Sequence, residues 1–156
     1  THVLTVGLAD SAGLGGSAPF WRQGDASSWV EAYSQVSGMS PWQHDPLLRI
    51  LRDIKGERLL CGLGCVEQPL ACGLGVVEGG LLGLFDIAVR PDCRGRGYGR
   101  TLVTAMLSLG RACGARVAYL QVTEANVAAR SLYYGLGFQE LYHYWYRQKP
   151  TPARQA

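Results

Sequence analysis

The stretch Arg94-Gly95-Arg96-Gly97-Tyr98-Gly99-Arg100 decides how the rest of this chain is read. An apolar strand-like run, Leu84-Phe85-Asp86-Ile87-Ala88-Val89, stands before it, and an apolar helix-like segment follows. Three glycines at alternate positions let the backbone turn tightly and come close to a ligand. A loop of this kind opening a helix aims several free N–H groups at one point, where the helix dipole adds partial positive charge. Three arginines in the same seven residues add full charge. A purely structural turn needs glycines but not arginines, so the loop reads as a seat for an anionic, phosphate-bearing ligand.

Three phosphate-binding designs compete for it. A Walker-type loop needs glycine where Arg94 stands and lysine where Arg100 stands, and arginine does not replace lysine at such a site. A dinucleotide fingerprint accepts Gly95 and Gly97, but its third glycine falls one residue early, at Gly99; Glu124 is loosely placed to hold a ribose. The third design, Arg-x-x-Gly-x-Gly, is filled by Arg94, Gly97 and Gly99. It resembles the acyl-CoA pyrophosphate loop of the GNAT N-acetyltransferase superfamily. Downstream, Asn126, Ala129, Leu132, Tyr133, Gly137 and Phe138 fill every position of a pattern similar to that family's second signature. The resemblance runs from about residue 81 to 146; the first 56 residues match in pattern only. It is also similar in outline to the C-terminal half of tandem GNAT proteins.

Composition sets the bounds. At 156 residues, with 47% hydrophobic and 17% charged side chains, the chain has the size and make-up of one globular domain. We read 1–156 as a single unit: 1–56 with an N-terminal strand and two helices, 57–146 as the ligand-binding core, and 147–156 as a tail. The net charge of +3 sits largely at the glycine loop, which suits a polyanionic small ligand and is too small to argue for nucleic acid. No apolar run is long enough to span a bilayer, so no membrane role is expected. No basic segment precedes the first apolar stretch, so a secretory signal is not expected either. The chain begins at Thr1, which leaves open an upstream methionine or domain. Five cysteines show no paired zinc spacing, no metal is expected, and reduced thiols in a cytoplasmic protein are the default. Cys93 lies beside the loop, but nothing near it resembles a base, so the inert-thiol default extends to it.

Along the chain, alternation and β-branching predict a strand over 2–9, and Gly, Ser and Ala predict a loop over 10–24. Asp25 to Ser28 caps a helix to about 37; a break at 38–41 precedes a second helix over 42–54. Strands are expected at 58–66, 70–77 and 82–89, a meander with turns at 67–69 and 79–80. A helix over 98–113 places Leu102, Met106, Leu109 and Cys113 on one stripe. A strand over 116–122, a helix from the Asn126 cap to 136 with Gly137 as C-cap, and a strand over 138–146 complete the order. The resemblance implies an α/β fold with a mixed, mostly antiparallel sheet of about six strands and helices on both faces. The family's closing hairpin shows only one strand here, so the N-terminal strand, a partner subunit or another domain is left to close the sheet edge.

The implied reaction is transfer of an acetyl group from acetyl-CoA, as cosubstrate, to the primary amine of a small molecule or peptide. The loop N–H groups of Gly95, Arg96, Gly97, Tyr98, Gly99 and Arg100 would hold the diphosphate, with Arg94, Arg96 and Arg100 adding charge. By resemblance, the edge at Ile87, Ala88 and Val89 pairs with the pantetheine arm, and a strand N–H near Val89 faces the thioester oxygen. Tyr133 is the candidate general acid, because a phenol's pKa of about 10 lies near that of a departing thiolate; the alternatives are a core aromatic and its neighbour Tyr134. Asp86 is the odd residue of its strand. Alternation puts Phe85, Ile87 and Val89 on one face and Asp86 and Ala88 on the other. A bare carboxylate in a covered sheet is expensive, so Asp86 must face a wet cleft or pair with an arginine such as Arg90 or Arg116. In the cleft it is a candidate base. His44 stands near the expected acceptor wall, and Asn126 reaches the cofactor or simply caps its helix. A non-catalytic CoA-binding domain and a dinucleotide binder are the competing functions; a homodimer is an open assembly state.

Overall fold

The structure, a computed structural model, describes residues 1–8 and 19–145. The strands are β1 (His2–Gly7), β2 (Phe20–Gln23), β3 (Glu57–Cys65), β4 (Gln68–Glu78), β5 (Leu81–Val89), β6 (Val117–Val122) and β7 (Gln139–His143). The helices are α1 (Ala26–Ser37), α2 (His44–Asp53), α3 (Tyr98–Ala112) and α4 (Val127–Tyr134). They form one sheet in the order β2-β3-β4-β5-β6-β1-β7, with β5 and β6 parallel and every other pair antiparallel. This is the mixed, mostly antiparallel α/β sheet with helices on both faces that the sequence predicts. It has seven strands among the described residues rather than about six.

Helices on both faces explain why the strands are apolar on both sides. In β3, Leu59, Cys61 and Leu63 turn toward α3 and α4, where they join Leu82, Leu102, Met106 and Phe138. Leu60 turns the other way and packs with Trp29, Val30 and Leu51 of α1 and α2. The expected α3 stripe is present: Leu102 and Met106 are fully buried, and Leu109 and Cys113 lean on the same core. Asp25 caps α1 by accepting from the Ser28 N–H at 2.8 Å.

Four features differ from the sequence reading. The segment expected as loop contains β2, whose Trp21 pairs with Gly62 and lies where a side chain at that glycine would be. The N-terminal strand does not close an edge; it lies between β6 and β7, running antiparallel to both, and leaves β7 outermost. α4 stops at Tyr134 with Gly135 as its cap, while Gly137 still makes the left-handed turn into β7 with φ +89°. Phe85 does not share a face with Ile87 and Val89, for a reason given below. The predicted ends at Ala9 and Tyr146 lie outside the described residues, as does most of the 10–24 segment.

Leu82 is fully buried, with its methyls under Gly110 of α3 and beside Gly75 of β4. Leu82→Ala should lower the unfolding free energy by about 2–5 kcal/mol, read as a lower urea midpoint at unchanged slope.

Candidate functional site

The parallel ladder between β5 and β6 runs from Leu81 opposite Val117 to Leu84 opposite Leu120 and stops there. Beyond Leu84 the two strands part, and residues 85–89 have no paired strand on the side that faced β6. A bulge lies at the same point. Leu74 of β4 pairs with Phe85 and Cys72 with Ala88, so Asp86 and Ile87 together stand opposite Gly73 alone. Gly73 leaves room there for Ile87 Cδ1 and Met106 Sδ, which lie 2.6 and 2.8 Å from where a Cβ would be and would have to shift for one. The extra residue resets the alternation. Leu82, Leu84, Ile87 and Val89 all turn to the α3 side, whereas Phe85 lies across from Leu74 on the α1–α2 side.

Asp86 absorbs the bulge with φ +50°, the one non-glycine residue with positive φ among those described. Aspartate tolerates this region better than most side chains, at a cost of about 1 kcal/mol. Its carboxyl floors an open cleft, so solvent reaches it, yet surrounding protein displaces enough water to push its pKa above the ordinary value of 3.8. The Tyr33 hydroxyl, on the same cavity, opposes that rise. Tyr33 is itself pushed up to about 12, first by burial and then by the Asp86 charge. It is held in place by stacking on Trp29, with centroids 5.0 Å apart and planes at 6°; the Trp29 indole N–H donates to the Cys61 carbonyl at 3.1 Å. Arg90 turns instead to Asp92 at 2.7 Å.

Two cavities meet along the parted strands. The larger, about 860 Å³, is walled by α2, β4, the end of β5 and the end of β6. The second, about 610 Å³, runs from Ile87, Ala88 and Val89 to Arg94, Gly95 and the start of α3. Ile87, Asn126, Ala129 and Tyr133 line both. In the second cavity the glycine loop has the expected form. Gly95 and Gly97 have φ +74° and +82°, and nothing lies within 4 Å of where a Cβ would project. The Thr101 N–H donates to the Gly97 carbonyl at 3.0 Å, so the N–H groups ahead of it have no helical acceptor.

Of the three loop arginines, Arg94 donates to the Val89 carbonyl at 3.2 Å and Arg100 to the Gly135 carbonyl at 3.1 Å. Both line the cavity with Tyr98 and Gly99, whereas Arg96 is exposed and outside its wall. Asn126 caps α4 by accepting from the Ala129 N–H at 3.2 Å, so its structural duty and its place on the cleft coexist. Tyr133 is 6% exposed, and burial raises its pKa. Tyr134 points elsewhere, its hydroxyl 3.5 Å from Glu140 and its ring under Arg130. His44 opens α2 and lines none of the cavities described here. Cys93 is buried, with the Arg90 guanidinium 3.3 Å from its sulfur. Sequence reasoning missed Tyr33. Its only signal is a tyrosine four residues after Trp29 on an otherwise apolar helix face, which does not distinguish it from core.

Among the described residues no three metal-binding side chains gather, and no helix is long and apolar enough to cross a membrane. A family model described as the Acetyltransferase (GNAT) family matches residues 19–138, well over half of the chain. The uncharacterized N-acetyltransferase YobR of Bacillus subtilis is 30% identical over 129 residues, which are 83% of this chain and 52% of that protein. A GCN5-related N-acetyltransferase from Sphaerobacter thermophilus superposes with a TM-score of 0.70 at 19% identity, over 89% of this chain and 47% of that one. The ribosomal-protein-S18-alanine N-acetyltransferase from Escherichia coli superposes with a TM-score of 0.65 at 25% identity, over 80% and 79%. The chain thus spans about half the length of the B. subtilis and Sphaerobacter proteins.

The raised pKa of Asp86 has a definite sign for stability. The contribution of such a carboxyl is full below its ordinary value of 3.8 and is lost as pH rises through the folded value. Asp86→Asn, which keeps the tolerance for positive φ, should therefore unfold at a higher temperature than the parent at neutral pH. The gap should narrow on acidification in a pH series of thermal melts; a gap that widens would contradict this account.

Proposed function

The chain belongs to the GNAT acetyltransferase family, and from that premise we propose that it transfers an acetyl group from acetyl-CoA to a primary amine by direct attack in a ternary complex. One observation carries the reading: the glycine–arginine loop, the free edge of β5 and Tyr133 line connected cavities at the place where the sheet parts. The residues fit the cosubstrate. Loop N–H groups and Arg94 and Arg100 suit a diphosphate, with Arg96 adding charge from outside the wall. The free edge at Ile87, Ala88 and Val89 suits an extended amide chain that adds as a strand would.

In this reading Asp86 takes the proton from the incoming ammonium, directly or through water, and the amine nitrogen attacks the thioester carbonyl. A free N–H on the β5 edge receives the charge that develops on the carbonyl oxygen. The C–N bond forms, the C–S bond breaks, Tyr133 gives its proton to the leaving thiolate, and the second proton of the acylated nitrogen leaves through water to restore the phenol. Burial suits Tyr133 to that task, because a raised pKa keeps the phenol protonated until the thiolate appears. The same proposal takes 1–156 as one acyltransferase domain working in the cytoplasm. All five cysteines are free, and burial pushes Cys61 and Cys72 up to about 12, which suits inert thiols in a reducing compartment.

Acetyl-CoA should raise the melting temperature and NAD should not; stabilisation by NAD alone would overturn the reading. Binding of acetyl-CoA with no thiol release across an amine library would point to a non-catalytic binding domain instead. Tyr133→Phe should lower kcat by about 100-fold while acetyl-CoA affinity holds. Arg94→Ala should weaken acetyl-CoA binding roughly ten-fold and leave kcat at saturation nearly unchanged.

A further inference from the structure

The walls beyond Asp86 describe the acceptor. Between Asp86 and the outer rim of the larger cavity, the lining comes from Leu47 and Ile50 of α2, Leu74 of β4, and the rings of Phe85 and Tyr119. Those rings meet edge to face, 6.1 Å apart at 87°, and present an aromatic wall. Besides Asp86, the charged side chains that line this cavity are Glu78 and Lys55, one of each sign. The lining thus carries two carboxylates and one lysine, and Asp86 is the carboxylate shared with the cavity that joins next. A third cavity joins at Leu47, Ile50 and Asp86, and it adds Tyr33, Met39 and Trp42 with no further charged group.

Exposure points the same way. Ile50 is 59% exposed, Phe85 37% and Trp42 76%, and all three border these cavities. Large apolar side chains gathered around one carboxylate in a concave site are the expected lining for a ligand with one cation and an apolar body. A polycationic acceptor would lose hydration against Leu47, Ile50 and Phe85. The polar side chains Gln121, Thr123 and Asn126 lie on the β6 and α4 wall, so a peptide's backbone amides would meet apolar side chains on the α2 wall at Leu47 and Ile50.

We propose that the acceptor is a monoamine on an aromatic body, an arylalkylamine, with its ammonium on Asp86 and its ring between Ile50 and the Phe85–Tyr119 pair. The proposal rests on the acetyltransferase reading for its catalytic consequence, but the binding site stands on the cleft alone. Tyr33 lines the joining cavity with Asp86, and the bulge sets the Asp86 carboxyl one residue from the edge where the thioester would lie.

The test uses the whole chain with 2-phenylethylamine, spermidine and an alanine-initiated tripeptide. Each is titrated calorimetrically with and without CoA, and each is assayed for thiol release from acetyl-CoA. Phenylethylamine should bind, and its kcat/KM should exceed that of the other two by at least about ten-fold. Ile50→Glu, at an exposed position, should raise the KM for phenylethylamine about ten-fold, narrow the margin over spermidine and leave acetyl-CoA affinity unchanged. Spermidine or the tripeptide as the preferred acceptor, or an Ile50→Glu variant with unaltered preference, overturns the proposal while leaving the acetyltransferase reading intact. Should acetyl-CoA fail to bind, that reading falls. The titrations without CoA then decide the amine site alone: phenylethylamine bound more tightly than spermidine supports it, and no binding or the reverse order overturns it.

Discussion

Parallel pairing between β5 and β6 ends at Leu84 and Leu120, and the site exists because it ends there. Two strands that stayed paired would leave neither a free backbone edge nor a cleft between them. The separation coincides with the bulge of Asp86 and Ile87 on Gly73, which bends β5 at the residue where it leaves its parallel neighbour. The bulge turns Ile87 and Val89 into the α3 core and leaves Asp86 on the other side, beside Tyr33. The two cavities therefore share a wall at Ile87. A groove suited to a phosphorylated cosubstrate and a cleft suited to an amine meet there without any long loop to organise them.

The strain at Asp86 is small beside the packing that holds it. Ile87 on Met106, Trp29 stacked on Tyr33, and the Trp29 indole bonded to the Cys61 carbonyl fix the bulge from both faces of the sheet. A charged group on such a support cannot swing away to find bulk water. That keeps its pKa above the usual carboxylate value and its direction constant. In the proposed chemistry both properties are useful, since a carboxylate with a raised pKa and a fixed position is a stronger base than a freely hydrated one.

Much of the architecture was legible because its signals are local. Asp25 before an apolar period, glycine at positions 79 and 80, and Asn126 three residues ahead of Ala129 state their turns and caps within a few residues. The same holds for the cavity-lining loop from Arg94 to Arg100, whose glycines and charges are all in one window. β2 was hidden because Phe20–Gln23 follows a Gly- and Ser-rich stretch and gains its strand partners, among them Gly62, from far along the chain. The bulge left a trace that strict alternation overrode: an aspartate in an apolar strand, the residue type that accepts positive φ. Tyr33 gave no separable signal, because a tyrosine that supports a carboxylate and one that merely fills a core occupy the same helical positions.

The sequence by itself determined the order of the helices and of every strand but β2, and the glycine–arginine make-up of the loop, because capping, periodicity and clustered charge act over a single turn or strand. The tertiary structure alone decided that β1 lies inside the sheet between β6 and β7, that β5 and β6 part after Leu84, and that Asp86 faces Tyr33 rather than an arginine. Those outcomes depend on contacts between residues far apart in the chain. Their energies arise only once the partner strand or helix is present to be paired or packed.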